Sequence, residues 1–462
     1  MDEKQVINQR QLSWLASSVI TSGGILTLQN VLIRVSQMDA WFSYLLSIFY
    51  AFLIAAFFGY LAKMYPQRHI FEISTLLLGR WGGTIVNLLI LFHFWQVAIR
   101  DMSSMSKFNS TLLLHNTPLE ILILLPCLFL IYFGKSSVEV IARVNDLFYP
   151  LFVITILMMP LLLSNEFYLQ LVTPILTMPL KHLAYSNMLT IGSAGDVFIL
   201  GAFLHMVYNA NHIRSAIRHG SLLGIFLLTL VIFLTLVVLG PKMPGNFLYP
   251  TYNLVQMIHV TDFLDRLDII MLTIWLPTIA CKMIAIYMAL LLGISSIIKE
   301  RNYPIINKPI ALLVGLTTVL SFKSTTELLA FANYSSPVIV LAYQPLVMMV
   351  LIVASNLYQR KHPSAEQHSE EGDKGNNVAH PTASPTQRMA KISVRFSYRR
   401  WLWIGNCLML LSVVCVFIGL AFSKYKPLVG TACGLIFGCC LFLTIMTTYM
   451  EVSLLKQAQA GK

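Results

Sequence analysis

The chain has 462 residues, of which 57% are hydrophobic and only 11% are charged, and its net charge is +12. Soluble domains usually carry about 25% charged residues, so this composition excludes an ordinary soluble enzyme. The basic residues are spread over short loops between apolar runs, which argues against a nucleic-acid-binding patch. The sequence therefore predicts an all-α polytopic membrane protein.

Twelve apolar runs approach the length of about 20 residues that a helix needs to cross a bilayer. The predicted spans are 12–34, 41–62, 81–102, 119–134, 146–163, 187–207, 220–240, 269–296, 309–322, 335–357, 401–423 and 428–449. The fourth and ninth are short. The polar start of the chain lacks a small-residue cleavage site, so we predict a retained first helix and not a signal peptide. Most Lys and Arg residues fall in loops on one side, which predicts cytoplasmic N- and C-termini.

Glycine pairs with small hydroxyl neighbours interrupt the first and sixth spans. Gly23 and Gly24 lie in the first, and Gly192 and Gly195 lie in the sixth. These spans correspond in two five-helix halves that enter the membrane with opposite orientation. Interrupted helices at matching places of inverted repeats indicate the central site of a transporter-like fold, so we predict that these glycines contact a ligand. Close helix packing is the alternative.

Charged residues also occur inside the predicted spans. Lys282 lies near the centre of the eighth, about 20 Å from either end at 1.5 Å per residue, too far for its side chain to reach water. We predict a ligand contact there, with a structural lysine bonded to backbone carbonyls as the alternative. Arg100 and Asp101 close the third span. Neighbours in sequence do not face each other on a helix, so we predict no mutual ion pair but outer vestibule charges, or simple headgroup contacts.

The C-terminal part of the chain differs in composition from the rest. Residues 362–387 are rich in Ser, Glu, Gly, Asn, Pro and Thr, which is typical of disordered linkers. We therefore predict a ten-helix permease-like core at 1–358, a disordered cytoplasmic linker at 359–400, and a two-helix membrane appendage with a short tail at 401–462.

Several kinds of chemistry have no support in the sequence. The seven cysteines lie in apolar runs without zinc-ligand spacing. There is no phosphate-binding glycine loop and no convincing nucleophile–base pair. We predict no metal site, no cofactor and no enzymatic activity. Glu139 and Arg143, spaced four residues apart, predict a helix salt bridge of structural value.

Three diffuse motifs carry a family resemblance. They are Tyr249-Pro250-Thr251-Tyr252 with Phe263-Leu264-Asp265-Arg266-Leu267-Asp268, Trp275 and Lys282; Pro66 through Glu72 to Leu78-Gly79-Arg80-Trp81-Gly82; and Ala142-Arg143-Val144-Asn145 with Pro150. In these, residues 1–358 resemble the spore germination permease-like family, the B-type membrane subunits of nutrient germinant receptors, within the amino acid–polyamine–organocation transporter superfamily. Asp268 stands where the family usually has Glu, and the last two spans lie outside its ten-helix pattern.

The resemblance implies a five-plus-five inverted-repeat core with a ligand site at the membrane midplane. It implies a receptor that senses an amino acid or similar nutrient in the spore inner membrane, and A-type and C-type receptor subunits as partners besides membrane lipid. Only Gly23, Gly24, Gly192, Gly195 and Lys282 can be placed at the implied site. A proton-coupled amino acid permease would share this fold, and a membrane scaffold without a ligand is a third possibility.

Overall fold

The computed structural model of the protein describes residues 7–207, 209–258, 267–299, 303–361 and 385–460, and these are almost entirely helical. The α-helices in chain order are α1 (Gln9–Thr27), α2 (Gln29–Ser36), α3 (Leu45–Met64), α4 (Ile70–Leu112), α5 (Leu119–Phe133), α6 (Val138–Leu162), α7 (Leu180–Gly195), α8 (Ala210–Leu239), α9 (Pro250–Gln256), α10 (Leu267–Ile298), α11 (Tyr303–Ser321), α12 (Thr325–Ala330), α13 (Ser336–Lys361), α14 (Pro385–Phe422) and α15 (Pro427–Ala460).

The long apolar helices agree with the predicted spans. Within the described residues, nine helices are long and apolar enough to cross a membrane. The first predicted span is a bent pair of helices, and the two short predicted spans are the short apolar helices α5 and α11. The expected polytopic membrane fold is therefore confirmed.

The first span breaks later than predicted. Helix α1 continues through Gly23 and Gly24 and ends at Thr27, where the chain bends by 65° toward α2. The hydroxyl of Thr27 donates to the carbonyl of Gly23 at 3.1 Å, and such bonds to the preceding turn favour bends in helices. The glycines therefore belong to the last helical turns before the break.

The sixth span changes its winding at the predicted place. Helix α7 ends at Gly195, and the chain continues as a 3-10 helix over Asp196–Met206. This tighter winding alters the direction of the side chains that follow. Asp196, the first residue after the change, lies inside the protein with no exposed surface.

Helix α4 is longer than the predicted third span at both ends. It bends at Gly79, whose φ of +73° is a left-handed conformation that glycine adopts without a steric penalty. It then runs on to Leu112, about three turns beyond Asp101. The prediction that Arg100 and Asp101 close the span is wrong, because the helix continues beyond them with the buried residues Ser103, Ser104, Ser106 and Lys107.

One backbone hydrogen bond joins the beginning of the first interrupted span to the end of the sixth. The amide of Ile7, just before α1, donates to the carbonyl of Met206 at 2.8 Å, and Ile7 and Val207 form a short parallel bridge. The beginning of the first span is thereby tied to the end of the sixth.

Helices α14 and α15 form a hairpin that packs against α8. Phe437 of the hairpin contacts the ring of Trp41 with centroids 5.5 Å apart, and the Ser423 hydroxyl donates to the carbonyl of Ile175 at 2.5 Å. Residues 385–400, predicted as linker, are helical, because the helix of the eleventh span extends beyond its apolar run. Residues 362–384 of the predicted linker lie outside the described residues.

Candidate functional site

Four charged side chains meet in the interior, next to the breaks in the first and sixth spans. Arg100 and Asp101 come from α4, Asp196 from the start of the 3-10 helix, and Lys282 from the middle of α10. Each is at most 6% exposed. We call this group the charge cluster. Its two cations and two carboxylates balance, as burial of charge in a membrane protein requires.

Arg100 reaches three of the surrounding groups. Its guanidinium donates to Asp101 Oδ1 at 2.9 Å, to Asp196 Oδ2 at 2.6 Å, and to the Ser336 hydroxyl at 3.1 Å. Ser336 begins α13, directly after a π-helical turn over Phe331–Ser335. The planar guanidinium suits this role because its donors point in several fixed directions.

Lys282 binds the two carboxylates from the other side. Its Nζ lies 2.8 Å from Asp101 Oδ2 and 2.9 Å from Asp196 Oδ2. This places the predicted buried lysine opposite partners of unlike charge and not opposite backbone carbonyls. If Lys282 has only a structural role, it acts through ion pairs with two aspartates and not through bonds to backbone carbonyls.

The prediction that Arg100 and Asp101 make no mutual ion pair is wrong, because the Arg100 guanidinium lies 2.9 Å from Asp101 Oδ1. Their role as vestibule charges stays a prediction. Their side chains leave the helix in different directions, but the arginine side chain is long enough to bend back to its neighbour. Both are also drawn to common partners, Asp196 and Lys282. The spacing rule for helix pairs concerns side chains that extend into solvent, and these two are buried.

Sequence reasoning did not select Asp196, although it lies in the interrupted segment. An acidic residue within an apolar span is itself a sign of a functional position, and that sign was available. Asp196 Oδ2 contacts both cations, while Asp196 Oδ1 is buried and accepts no hydrogen bond among the described residues. One carboxylate oxygen is therefore left with unused acceptor capacity.

A narrow cleft lies beside the charge cluster. The space within and in front of it amounts to ≈ 290 Å³, and its walls include Gly23, Gly24, Ser193 and Asp196. A Cβ atom at Gly23 would lie 2.9 Å from Lys282 Nζ, so the missing side chain lets the ammonium group approach the backbone of α1. A Cβ atom at Gly24 would lie 2.8 Å from Leu228 instead.

Gly192 and Gly195 are close to other helices. A Cβ atom at Gly192 would lie 3.1 Å from the ring of Pro337, and one at Gly195 would lie 2.5 Å from Val340. These are the contacts of close packing, the alternative stated for the glycine pairs. A ligand contact at these two positions stays a prediction, whereas Gly23 and Gly24 line the cleft.

A substitution at Gly195 tests whether this glycine serves close helix packing or a ligand contact. We expect Gly195→Ala to lower the midpoint of thermal unfolding, because the new methyl group would overlap Val340 on α13. Trimming the partner in the double variant Gly195→Ala/Val340→Ala should recover most of the loss. If the double variant unfolds as early as the single one, contact with α13 does not explain the glycine.

A family model described as spore germination protein matches residues 6–327. The chain belongs to the spore germination protein family. YfkT of Bacillus subtilis (strain 168) is 25% identical over 337 residues, which cover 72% of this chain and 92% of YfkT. Spore germination protein A2 of the same organism is 25% identical over 292 residues, which cover 60% of this chain and 77% of that protein.

A solved transporter shares the fold of this spore germination protein. The structure of Mhp1, a nucleobase-cation-symport-1 family transporter with bromovinylhydantoin bound, aligns with a TM-score of 0.56. The alignment covers 99% of this chain and 96% of Mhp1, at 14% sequence identity. The family member is thus an integral membrane protein with a transporter-like fold, consistent with the spore inner membrane.

Proposed function

We propose that this chain is the membrane subunit of a nutrient germinant receptor, and that it binds an amino acid or a similar small nutrient at the charge cluster. The single observation that carries the proposal is a balanced cluster of four buried charges beside two helix breaks. Family membership supports a role in germination. The proposed activity is recognition, without catalysis.

The unused oxygen of Asp196 fits one end of such a nutrient. Asp196 lines the cleft, and its buried Oδ1 accepts no hydrogen bond among the described residues, so we propose that a ligand ammonium group finds its acceptor there. A ligand carboxylate would compete with the two aspartates for Arg100 and Lys282. A zwitterion would pair its ammonium group with an aspartate and its carboxylate with Arg100 or Lys282. The cluster with its ligand would therefore stay neutral.

Binding by the purified protein tests this proposal directly. We expect calorimetric titration with the common amino acids to find at least one that binds, and its N-acetyl derivative to bind at least tenfold more weakly, because it has lost the ammonium group. Asp196→Asn should reduce binding of the free amino acid and leave the derivative unaffected. Equal binding of both forms by the native protein would contradict a role for Asp196 as the ammonium site.

A proton-coupled permease is the second candidate, and the two buried carboxylates that share Lys282, Asp101 and Asp196, favour it. Buried carboxylates that exchange partners carry protons in many pumps and transporters. Uptake of the bound amino acid into proteoliposomes, driven by a pH gradient, would indicate the permease. Binding without uptake would indicate the receptor, which we further propose to assemble with A-type and C-type receptor subunits.

A further inference from the structure

A second pocket lies away from the charge cluster, between α9, the last turns of α4 and the first turns of α10. The space within and in front of it amounts to ≈ 360 Å³, and it shares no lining residue with the cleft at Gly23. Its walls include Phe108, Tyr249, Tyr252 and Trp275. The motif residues Tyr249, Tyr252 and Trp275, by which the sequence resembles its family, thus converge on one cavity.

The walls of this pocket are aromatic. Phe108 meets Trp275 and Tyr249 edge-on, with ring centroids 5.0 Å apart in both pairs. Met271 completes the wall on the α10 side. A flat apolar ring that enters such a space gains burial and further ring contacts.

The polar groups of the pocket differ in how they are bonded. The Tyr252 hydroxyl donates to Asp268 Oδ2 at 3.0 Å, so these two groups are engaged with each other. Trp275 is only 4% exposed, and its indole N–H has no acceptor among the described residues. A buried donor without an acceptor is unfavourable, and a ligand that supplies the acceptor relieves the cost.

We propose that this pocket binds a small, uncharged, aromatic molecule with one hydrogen-bond acceptor. That acceptor would take the hydrogen bond that the indole N–H of Trp275 donates. The site does not depend on the nutrient proposal. Trp275 precedes Lys282 by two turns of α10, or about 10 Å along the helix, and Ile25 beside Gly24 lines the pocket. A bound molecule therefore lies next to the charge cluster without touching it.

Two matched probes test the site. In ¹⁹F NMR with the full-length protein in phosphatidylcholine nanodiscs, 4′-fluoroacetophenone should show a saturable, protein-dependent shift, with empty nanodiscs as the reference for lipid partitioning. 1-Ethyl-4-fluorobenzene has the same shape without the acceptor and should bind about fivefold more weakly. No saturable shift, or equal affinity for the two probes, would overturn the proposal.

Variants locate the binding. Trp275→Phe keeps an aromatic ring but removes the donor, so it should abolish the difference between the two probes. Met271→Trp fills the pocket from its partly exposed wall and should remove binding of both probes. Trp403→Phe changes an exposed tryptophan of the hairpin and should leave both affinities unchanged. Unaltered binding in folded Met271→Trp would place the probe elsewhere and overturn the assignment.

Discussion

Replacing Lys282 by methionine should abolish the nutrient response and lower the stability of the protein. The change removes one of two cations that hold Asp101 and Asp196, at distances of 2.8 and 2.9 Å. It leaves a buried carboxylate without its full compensation, which costs about 3–5 kcal/mol in comparable sites. We expect a clear fall in the midpoint of thermal unfolding, measured on purified protein.

A second substitution distinguishes stability from function. Lys282→Met/Asp101→Asn restores the charge balance of the cluster, so it should unfold near the temperature of the native protein. Nutrient binding and the germination response should stay lost, because the ammonium group beside Gly23 is still missing. A double variant that regains both stability and response would show that Lys282 serves only to balance charge.

Lys107 supplies the matched control. It is a buried lysine of α4 whose Nζ donates to the carbonyls of Phe322 and Ser324, at 2.9 and 2.7 Å. Lys107→Met should cost about 1–3 kcal/mol through the two carbonyls left without a donor, yet leave nutrient affinity unchanged. Loss of binding in this variant would mean that removing a buried lysine abolishes binding through the fold, and not through a contact specific to Lys282.

Replacing Arg218 by methionine should release the C-terminal hairpin from the core. Arg218 of α8 lies 3.3 Å from Glu451 of α15, with both side chains at most 4% exposed. The guanidinium also donates to Asn406 at 3.1 Å and lies over the ring of Phe52 at 4.6 Å. Its removal leaves Glu451 buried without that partner, at a cost of about 3–5 kcal/mol.

Cleavage of the chain between core and hairpin makes this release measurable. With a protease site inserted between residues 362 and 384, the native hairpin should stay with the core during gel filtration after cleavage. In Arg218→Met it should separate. Arg218→Met/Glu451→Met replaces the ion pair by apolar side chains and should restore association.

An exposed ion pair provides the control for the hairpin experiment. Arg143 and Glu139 form the predicted helix salt bridge, at 2.5 Å and with Arg143 largely exposed. Arg143→Met should change stability by only a few tenths of a kcal/mol and leave the hairpin attached. A hairpin that stays attached in Arg218→Met would show that apolar contacts such as Trp41 with Phe437 suffice.

The sequence predicted the membrane spans, the positions of the interruptions within a turn or so, and the need for partners around Lys282. These follow from local rules on apolar length, glycine and buried charge. It did not predict which groups would meet, since Asp196 reaches Arg100 only when two helices distant in sequence cross. Nor could it tell that Gly195 faces Val340 while Gly23 faces the cleft.

The hairpin shows another limit of sequence reasoning. A polar segment separates the hairpin from the core in the sequence, and this composition predicts an appendage that is only loosely attached. Its attachment includes contacts between residues far apart in sequence, such as His219 with Thr448 at 2.9 Å and Ser423 with Ile175. The division into core, linker and appendage stays a prediction. The hairpin itself contacts the core closely.

The hydrogen bond from Ile7 to Met206 has a mechanical consequence. It fastens the segment that carries Gly23 to the segment that carries Asp196, so both would shift as a single lever. Arg100, Asp101 and Lys282 belong to α4 and α10, outside that lever. Tilting the lever would pull Asp196 away from its two cations, so under the proposed function the ion pairs of the charge cluster would oppose this movement, and a bound nutrient would offset their loss.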